Sequence, residues 1–162
     1  MQDANNKVRN AMSLEFLSLP ENVGLARITV ASFAAQEEMT LNDLEEIKVA
    51  VSEAVSNCIL HGYNSSVEGL IKIKATLYTN KLIIEVKDEG KGIPDINLAL
   101  QPAYSTNPER MGLGFVFMNS FMDKVIVHSK LNKGTTVIME KKLKTTKQDS
   151  KHDRNIDNVK IR

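Results

Sequence analysis

An α+β domain is the fold class this sequence predicts, and three observations carry it. Several short runs alternate apolar and polar residues with period two, as half-buried strands do. Two longer stretches repeat apolar residues every three to four positions, as core-facing helices do. The two kinds are segregated along the chain: a strand, two helices, a hairpin, a short helix, a second hairpin. At 162 residues the chain has the length of one domain with a real core. Its formal net charge of +1 supplies no field that would select nucleic acid or an anionic membrane.

Residues 1–10 are polar and read as a flexible start, 11–144 as the folded domain, and 145–162 as a disordered polar tail. Residues 13–19 alternate Leu14, Phe16 and Leu17 or Leu19 with Glu15 and Ser18, a short strand ended by Pro20. Residues 21–38 read as a helix whose apolar face is Val23, Leu25, Ile28, Val30, Phe33 and Ala34. A second helix starts at a Thr40 or Asn42 cap, carries Asp43, Glu45 and Glu46 where the dipole favours acids, and runs to a His61-Gly62 stop. Residues 69–79 and 81–88 alternate around Thr79 and Asn80, which makes a hairpin. Residues 95–111, with Pro102 and Pro108, form the least regular stretch, and a loop of that length in a small domain reads as a lid or binding loop. GLGFVFMNSFM then reads as a helix, and 123–130 and 134–143 as a closing hairpin turned at 131–134, with His128 on the solvent face.

Within the second helix Glu53, Asn57 and His61 stand at i, i+4 and i+8, each rotated roughly 40° from the last, so they share one stripe. Leu44, Ile47, Val51, Val55 and Cys58 fall on the neighbouring arc, so the polar stripe borders the core. A carboxylate, a carboxamide and an imidazole in that position suit a ligand site. A solvated acid, a tolerated amide and a helix-terminal cation capped by Gly62 suit the same pattern. Cys58, the single cysteine, cannot form an internal disulfide and reads as a small buried hydrophobe. His61, His128 and His152 are too scattered to close around zinc.

Two glycine motifs follow. Asp88 ends a strand and is followed by Gly90 and Gly92, which sets a carboxylate at a rim where the backbone can turn sharply; a bulged hairpin exit would look alike. Arg110-Met111-Gly112-Leu113-Gly114 opens a helix, whose free N–H groups, dipole and neighbouring arginine favour an anion such as phosphate; close packing alone would also explain the glycines.

In this order and spacing, SEAVSNCILHGY, DEGKGI, MGLGF and the closing Gly134-Thr135-Thr136 resemble the GHKL (Bergerat-fold) ATP-binding superfamily of histidine kinase catalytic domains, gyrase B, heat-shock protein 90 and mismatch-repair ATPases. With ARITVASF, KDEGKGIPDI and NSFMDKVIVHSKLNKGTT, residues 10 to 143 are similar to the anti-sigma factor kinases within it. The resemblance implies a two-layer α/β sandwich with a mixed, mostly antiparallel sheet and helices on one face. It implies ATP or ADP with Mg²⁺ as cofactors, and a serine protein kinase that inhibits a sporulation sigma factor and phosphorylates its anti-anti-sigma antagonist. A homodimer is implied too, with no direct nucleic-acid or membrane partner.

Residue by residue, the resemblance makes Glu53 the base, Asn57 the Mg²⁺ ligand and Asp88 the acceptor for the adenine amino group. Thr135 would assist through water, with Gly90 and Gly92 allowing close approach. Gly112, Gly114 and Arg110 would hold phosphates, His61 would support the same wall, and Arg27 would contact a protein partner. The lid departs from the family pattern: Asn107 stands where a basic residue is common, and the segment before Met111 is slightly shorter. A nucleotide-gated sigma-binding module and a sensor histidine kinase ATPase are the competing functions. No apolar run nears the roughly 18 residues that span a bilayer, and the N-terminus lacks a signal-peptide stretch, so a cytoplasmic location is expected.

Overall fold

The computed structural model describes residues 7–101 and 113–144. Strand β1 (Val8–Leu17) leads into helices α1 (Asn22–Ala34) and α2 (Leu41–Asn57), and a π-helical turn, Cys58–Gly62, continues α2. Strands β2 (Leu70–Tyr78) and β3 (Lys81–Asp88) follow, then the short helix α3 (Ile96–Ala99), helix α4 (Gly114–Phe121) and strands β4 (Lys124–Lys130) and β5 (Gly134–Lys142). The strands form one sheet in the order β1-β2-β3-β5-β4. Every ladder is antiparallel, so the expected mostly antiparallel sheet holds no parallel pair among the described residues.

Alternation decides which face is covered. Ile71, Ile73, Ala75 and Leu77 of β2 lie opposite Asp88, Val86, Ile84 and Leu82 of β3, and all eight are buried. Lys72, Lys74 and Lys87, one position out of phase, are exposed. The buried side chains share one core with Ala26, Val30 and Phe33 of α1 and Ile47, Ala50, Val51, Ala54 and Val55 of α2, so the helices form the second layer. Each fully buried branched side chain there contributes about 1.5–3 kcal/mol relative to exposure.

Several boundaries differ from the sequence expectation. Strand β1 begins at Val8 and stops at Leu17, because the whole segment pairs with β2 down to Leu17 opposite Leu70. Helix α1 ends at Ala34, and its buried face is Ala26, Val30, Ala31, Phe33 and Ala34; Leu25 and Ile28 are 49% and 61% exposed. Val30, Phe33 and Ala34 are as expected from the sequence, and Ala26 and Ala31, small residues at helical spacing that a reading weighted towards large aliphatics overlooked, complete that face. Helix α3 falls in the stretch read as irregular, where Asp95 caps it by accepting from the Leu98 N–H at 3.0 Å. The hairpin turns at Thr79 and Asn80 and at 131–133 are as expected from the sequence.

Two devices fix α2, a cap at its start and an anchor to the sheet. Thr40 and Asp43 form a reciprocal capping box at its start, with the Asp43 N–H donating to Thr40 Oγ1 at 3.1 Å and the Thr40 N–H donating to Asp43 Oδ2 at 3.0 Å. Lys141 of β5, only 12% exposed, donates to Glu46 Oε2 at 2.6 Å and to the Phe121 carbonyl at 2.8 Å. One ammonium group thus fixes the end of α4 against α2.

Candidate functional site

At one end of the site, α4 begins directly over the polar stripe of α2. A Cβ added to Gly114 would lie 2.9 Å from Glu53 Oε2 and 3.5 Å and 3.7 Å from Asn57 Nδ2 and Oδ1. Any side chain at Gly114 would therefore press on the carboxylate, and the first turn of α4, the positive end of its dipole, opens beside a carboxylate and a carboxamide. Glu53 and Asn57 are both half-buried. Their i, i+4 spacing survives because the α-helix continues to Asn57.

Beyond Asn57 the helix widens. The Tyr63 N–H reaches back to the Cys58 carbonyl at 2.9 Å, five residues away, so the α-helical step that would carry the stripe to His61 no longer applies. His61 sits half-buried within the π turn. The widened turn carries the chain past Asp88, the last residue of β3, which is 3% exposed. A Cβ on Gly62 would stand 2.9 Å from both Cγ and Oδ1 of Asp88. The Gly90 N–H donates to Asp88 Oδ1 at 2.9 Å. Burial raises the Asp88 carboxyl above the ordinary aspartate value, against the pull of the N–H groups of Gly90 and Thr135 and of the Cys58 thiol. Burial first, and then the Asp88 charge, push the Cys58 thiol well up, so it remains a protonated donor.

The loop after β3 is clasped to this turn. The Lys91 N–H donates to the Gly62 carbonyl at 2.9 Å, and a Cβ on Gly90 would overlap that same carbonyl. Tyr63 braces the arrangement: its hydroxyl accepts from the Glu89 N–H at 2.8 Å and donates to the Leu70 carbonyl at 2.6 Å. Gly92 has φ 74°, which favours glycine, and is packed against the Lys130 carbonyl. At Gly90 and Gly92, then, the close neighbour is the protein's own backbone.

Thr135 lies opposite Asp88 in the β3–β5 ladder and is 9% exposed. Its hydroxyl is 2.8 Å from that of Ser129, which also accepts from the Ile93 N–H at 2.7 Å. The structure thus gathers Glu53, Asn57 and Gly114 at one end and Asp88, Gly90, Gly92 and Thr135 at the other. The run from Glu53 through Asn57 and Cys58 to Gly62 forms a continuous wall between them. Arg27 is exposed on α1, away from both ends in sequence. Arg110 and Gly112, and with them the lid and Asn107, lie outside the described residues.

Three contributors escaped the sequence reading. Gly62 looked like a helix stop, yet φ is not positive there, and what it supplies is room for the Asp88 carboxylate. Cys58 looked like plain core, and its burial bears that out, but its thiol also faces Asp88. Ser129 lies in the NSFMDKVIVHSKLNKGTT run but was given no role of its own. Counting back across the 131–134 turn would have set it opposite Thr135.

This fold and site define a histidine kinase-like ATPase domain, and the family pattern of that description matches residues 16–141. The chain belongs to the anti-sigma F factor family within that class. It is 48% identical over 142 residues to the anti-sigma F factor of Geobacillus kaustophilus, an alignment covering 86% of this chain and 97% of that one. It is 52% identical over 134 residues to the anti-sigma F factor of Thermoanaerobacter pseudethanolicus, covering 82% and 93%. Among solved structures, the RsbU and RsbW domains of a Mycobacterium tuberculosis protein superpose with a TM-score of 0.60 at 19% identity, covering 83% of this chain and 32% of that one. A histidine kinase domain from the blue-light activated kinase of Erythrobacter litoralis gives 0.52 at 16% identity, covering 76% and 60%. At those identities the likeness concerns the fold.

Proposed function

We propose that this protein binds and inhibits a sporulation sigma factor and uses Mg-ATP to phosphorylate a serine of the matching anti-anti-sigma protein. The observation that carries this reading is the approach of Gly114 to Glu53 and Asn57, which sets a base and an amide one helical turn apart beneath the start of α4. The names of the anti-sigma F factor relatives support the sigma partner.

In this reading the adenine amino group donates to Asp88 and Thr135 completes that end through a water. The phosphates lie at the start of α4, held by Gly112 and Gly114 and by Arg110. Asn57, whose amide oxygen is a hard neutral donor suited to Mg²⁺, would be the protein ligand of the ion. Mg²⁺ bound there supplies charge neutralisation on the transferring phosphoryl group. Glu53 takes the proton of the incoming serine hydroxyl as its oxygen bonds to the γ-phosphorus. The bond from that phosphorus to the bridging oxygen breaks, and ADP leaves. Positioning by α2 and α4 supplies most of the rate. Arg27, exposed on α1, contacts the protein partner, and a homodimer supports that surface. Work in the cytoplasm belongs to the same reading; no helix among the described residues is long and apolar enough to cross a membrane.

The test is to incubate the protein with Mg-ATP and small candidate anti-anti-sigma proteins and to look for acid-stable phosphoserine. ATP and sigma binding with no phosphoserine would make it a nucleotide-gated binding module instead. Acid-labile phosphohistidine would point to the sensor kinase class.

A further inference from the structure

We infer that Val49 of α2 and Phe117 of α4 form the acceptor-side rim of the site and receive an apolar side chain that flanks the serine to be phosphorylated; this rests on the phosphoryl-transfer reading above. Displacement at phosphorus sets the attacking oxygen, the γ-phosphorus and the bridging oxygen of ADP roughly in line. In that reading adenine at Asp88, the ion at Asn57 and the proton acceptor Glu53 follow one another along the wall, and ADP leaves towards Asp88. The serine oxygen must then arrive from the opposite side, beyond Glu53 and towards the start of α2.

What lies there is set by how the two helices pack. Gly114 meets Glu53, and farther along Lys141 ties Glu46 to the Phe121 carbonyl, so α2 and α4 run antiparallel side by side. One turn beyond the Glu53–Gly114 contact, Ala50 and Met118 point into the core and are fully buried, which closes that route. On the outer side of the same turn Val49 is 37% and Phe117 38% exposed. The acceptor chain therefore crosses these two side chains.

The chemistry of this rim is apolar. The Phe117 ring stacks on that of Phe121, with centroids 5.9 Å apart and planes 10° from parallel, and is held in place before an acceptor arrives. The polar groups one turn either side of Val49 are already engaged. Lys48 Nζ donates to Glu45 Oε1 at 2.7 Å, and the Ser52 hydroxyl donates to the Lys48 carbonyl at 2.7 Å. An apolar side chain that covers Val49 and Phe117 strands neither.

The experiment measures transfer from Mg-ATP to the anti-anti-sigma protein by the full chain and by Val49→Gln and Phe117→Gln. Each is paired with an acceptor whose apolar residues flanking the serine are replaced by Ser. Each single change, on either protein, is expected to raise the KM for the acceptor by about 5- to 30-fold, the range of one interface anchor, with kcat and the ATP dissociation constant unaltered. Changing both partners should cost less than the product of the single effects, because both remove one contact. Val49→Ile and Phe117→Leu should keep the KM near its starting value, and Val49→Ala and Phe117→Ala replace the glutamine variants should these fail to fold. Effects that multiply in full, an unchanged acceptor KM, or a loss of ATP affinity in its place would each overturn the inference, the last by assigning the rim to the nucleotide. A starting protein that makes no phosphoserine overturns the transfer reading along with it. One that makes phosphoserine whatever stands at the rim overturns the inference alone.

Discussion

The two ends of the site are built by different means. The Glu53–Asn57 end lies on a single helix, and its geometry is a consequence of α-helical spacing plus the start of α4 above it. The Asp88 end is assembled from several separate pieces of chain: the π turn, the end of β3, the loop after it and the β4–β5 hairpin. The first end can be altered one side chain at a time. The second is a clasp of backbone contacts, in which a single added methyl group disturbs several strands together. Replacing the base at the helical end should therefore change chemistry while sparing affinity, and substitutions at the clasped end should change affinity and folding.

The sharpest separation is expected at Glu53. Glu53→Gln keeps the shape beneath Gly114 and removes the base, so phosphoryl transfer should fall about 10²- to 10⁴-fold, while the ATP dissociation constant moves by less than about threefold, below one net hydrogen bond. Single-turnover transfer and calorimetry measure the two quantities. A joint loss of affinity and rate would show that the ends are not separable.

At the clasped end Asp88→Asn should do the reverse. Losing the charged acceptor for the adenine amino group should weaken ATP by about 10- to 100-fold, with little change in transfer rate at saturating nucleotide. The pH dependence has a defined sign. Because burial raises the folded-state pKa of Asp88 above its unfolded value, the fold holds this proton more tightly. The associated stability is fully present below the ordinary aspartate value and is lost as pH rises through the raised one. ATP affinity runs the other way, falling as acid protonates the carboxylate. Denaturation and binding profiles against pH should show both slopes, and Asp88→Asn should remove both.

The same contrast explains what the sequence disclosed. Glu53 and Asn57 were legible because a fixed period along one element determines which side chains align. The strands of both hairpins were legible for the same reason. The clasp was not, since the nearness of Gly62 to Asp88, or of Ser129 to Thr135, depends on ladder register and on where a helix widens. His61 shows the limit of the periodic reading, because the stripe was extrapolated across a turn whose hydrogen bonds had already changed from four residues to five. The small-residue face of α1 shows another: Ala26 and Ala31 are buried while Leu25 and Ile28 face outward, so residue size misled where spacing would not.

A smaller effect is expected at Gly62. An alanine there sets its methyl 2.9 Å from the Asp88 carboxylate, and the close packing of the turn against the loop leaves little room to relax. Overpacking of this kind costs about 1–3 kcal/mol. Gly62→Ala should lower the denaturation midpoint and weaken ATP, and transfer from bound ATP should proceed at a rate near that of the unaltered chain. A variant with normal stability and affinity would mean the clasp is looser than its contacts imply.

The mildest substitution examines whether the helical end depends on the distant start of its helix. Thr40→Ala removes the side-chain half of the capping box, which costs about 1 kcal/mol of helix stability, and leaves Glu53 and Asn57 more than three turns away untouched. Asp43 adds a pH signature: hydrogen bonds from the Thr40 side chain and then its backbone hold the carboxyl below the ordinary value. A depressed acid contributes stability that is present above its unfolded pKa and lost as pH falls through the folded one. Thr40→Ala should therefore lose more stability at neutral pH than in acid, where the unaltered chain has already given up the box. Transfer rate and ATP affinity should both stay unchanged. If either falls with the cap, the Glu53–Asn57 end owes its geometry to the whole length of α2, and the two ends differ less in construction than their contacts suggest.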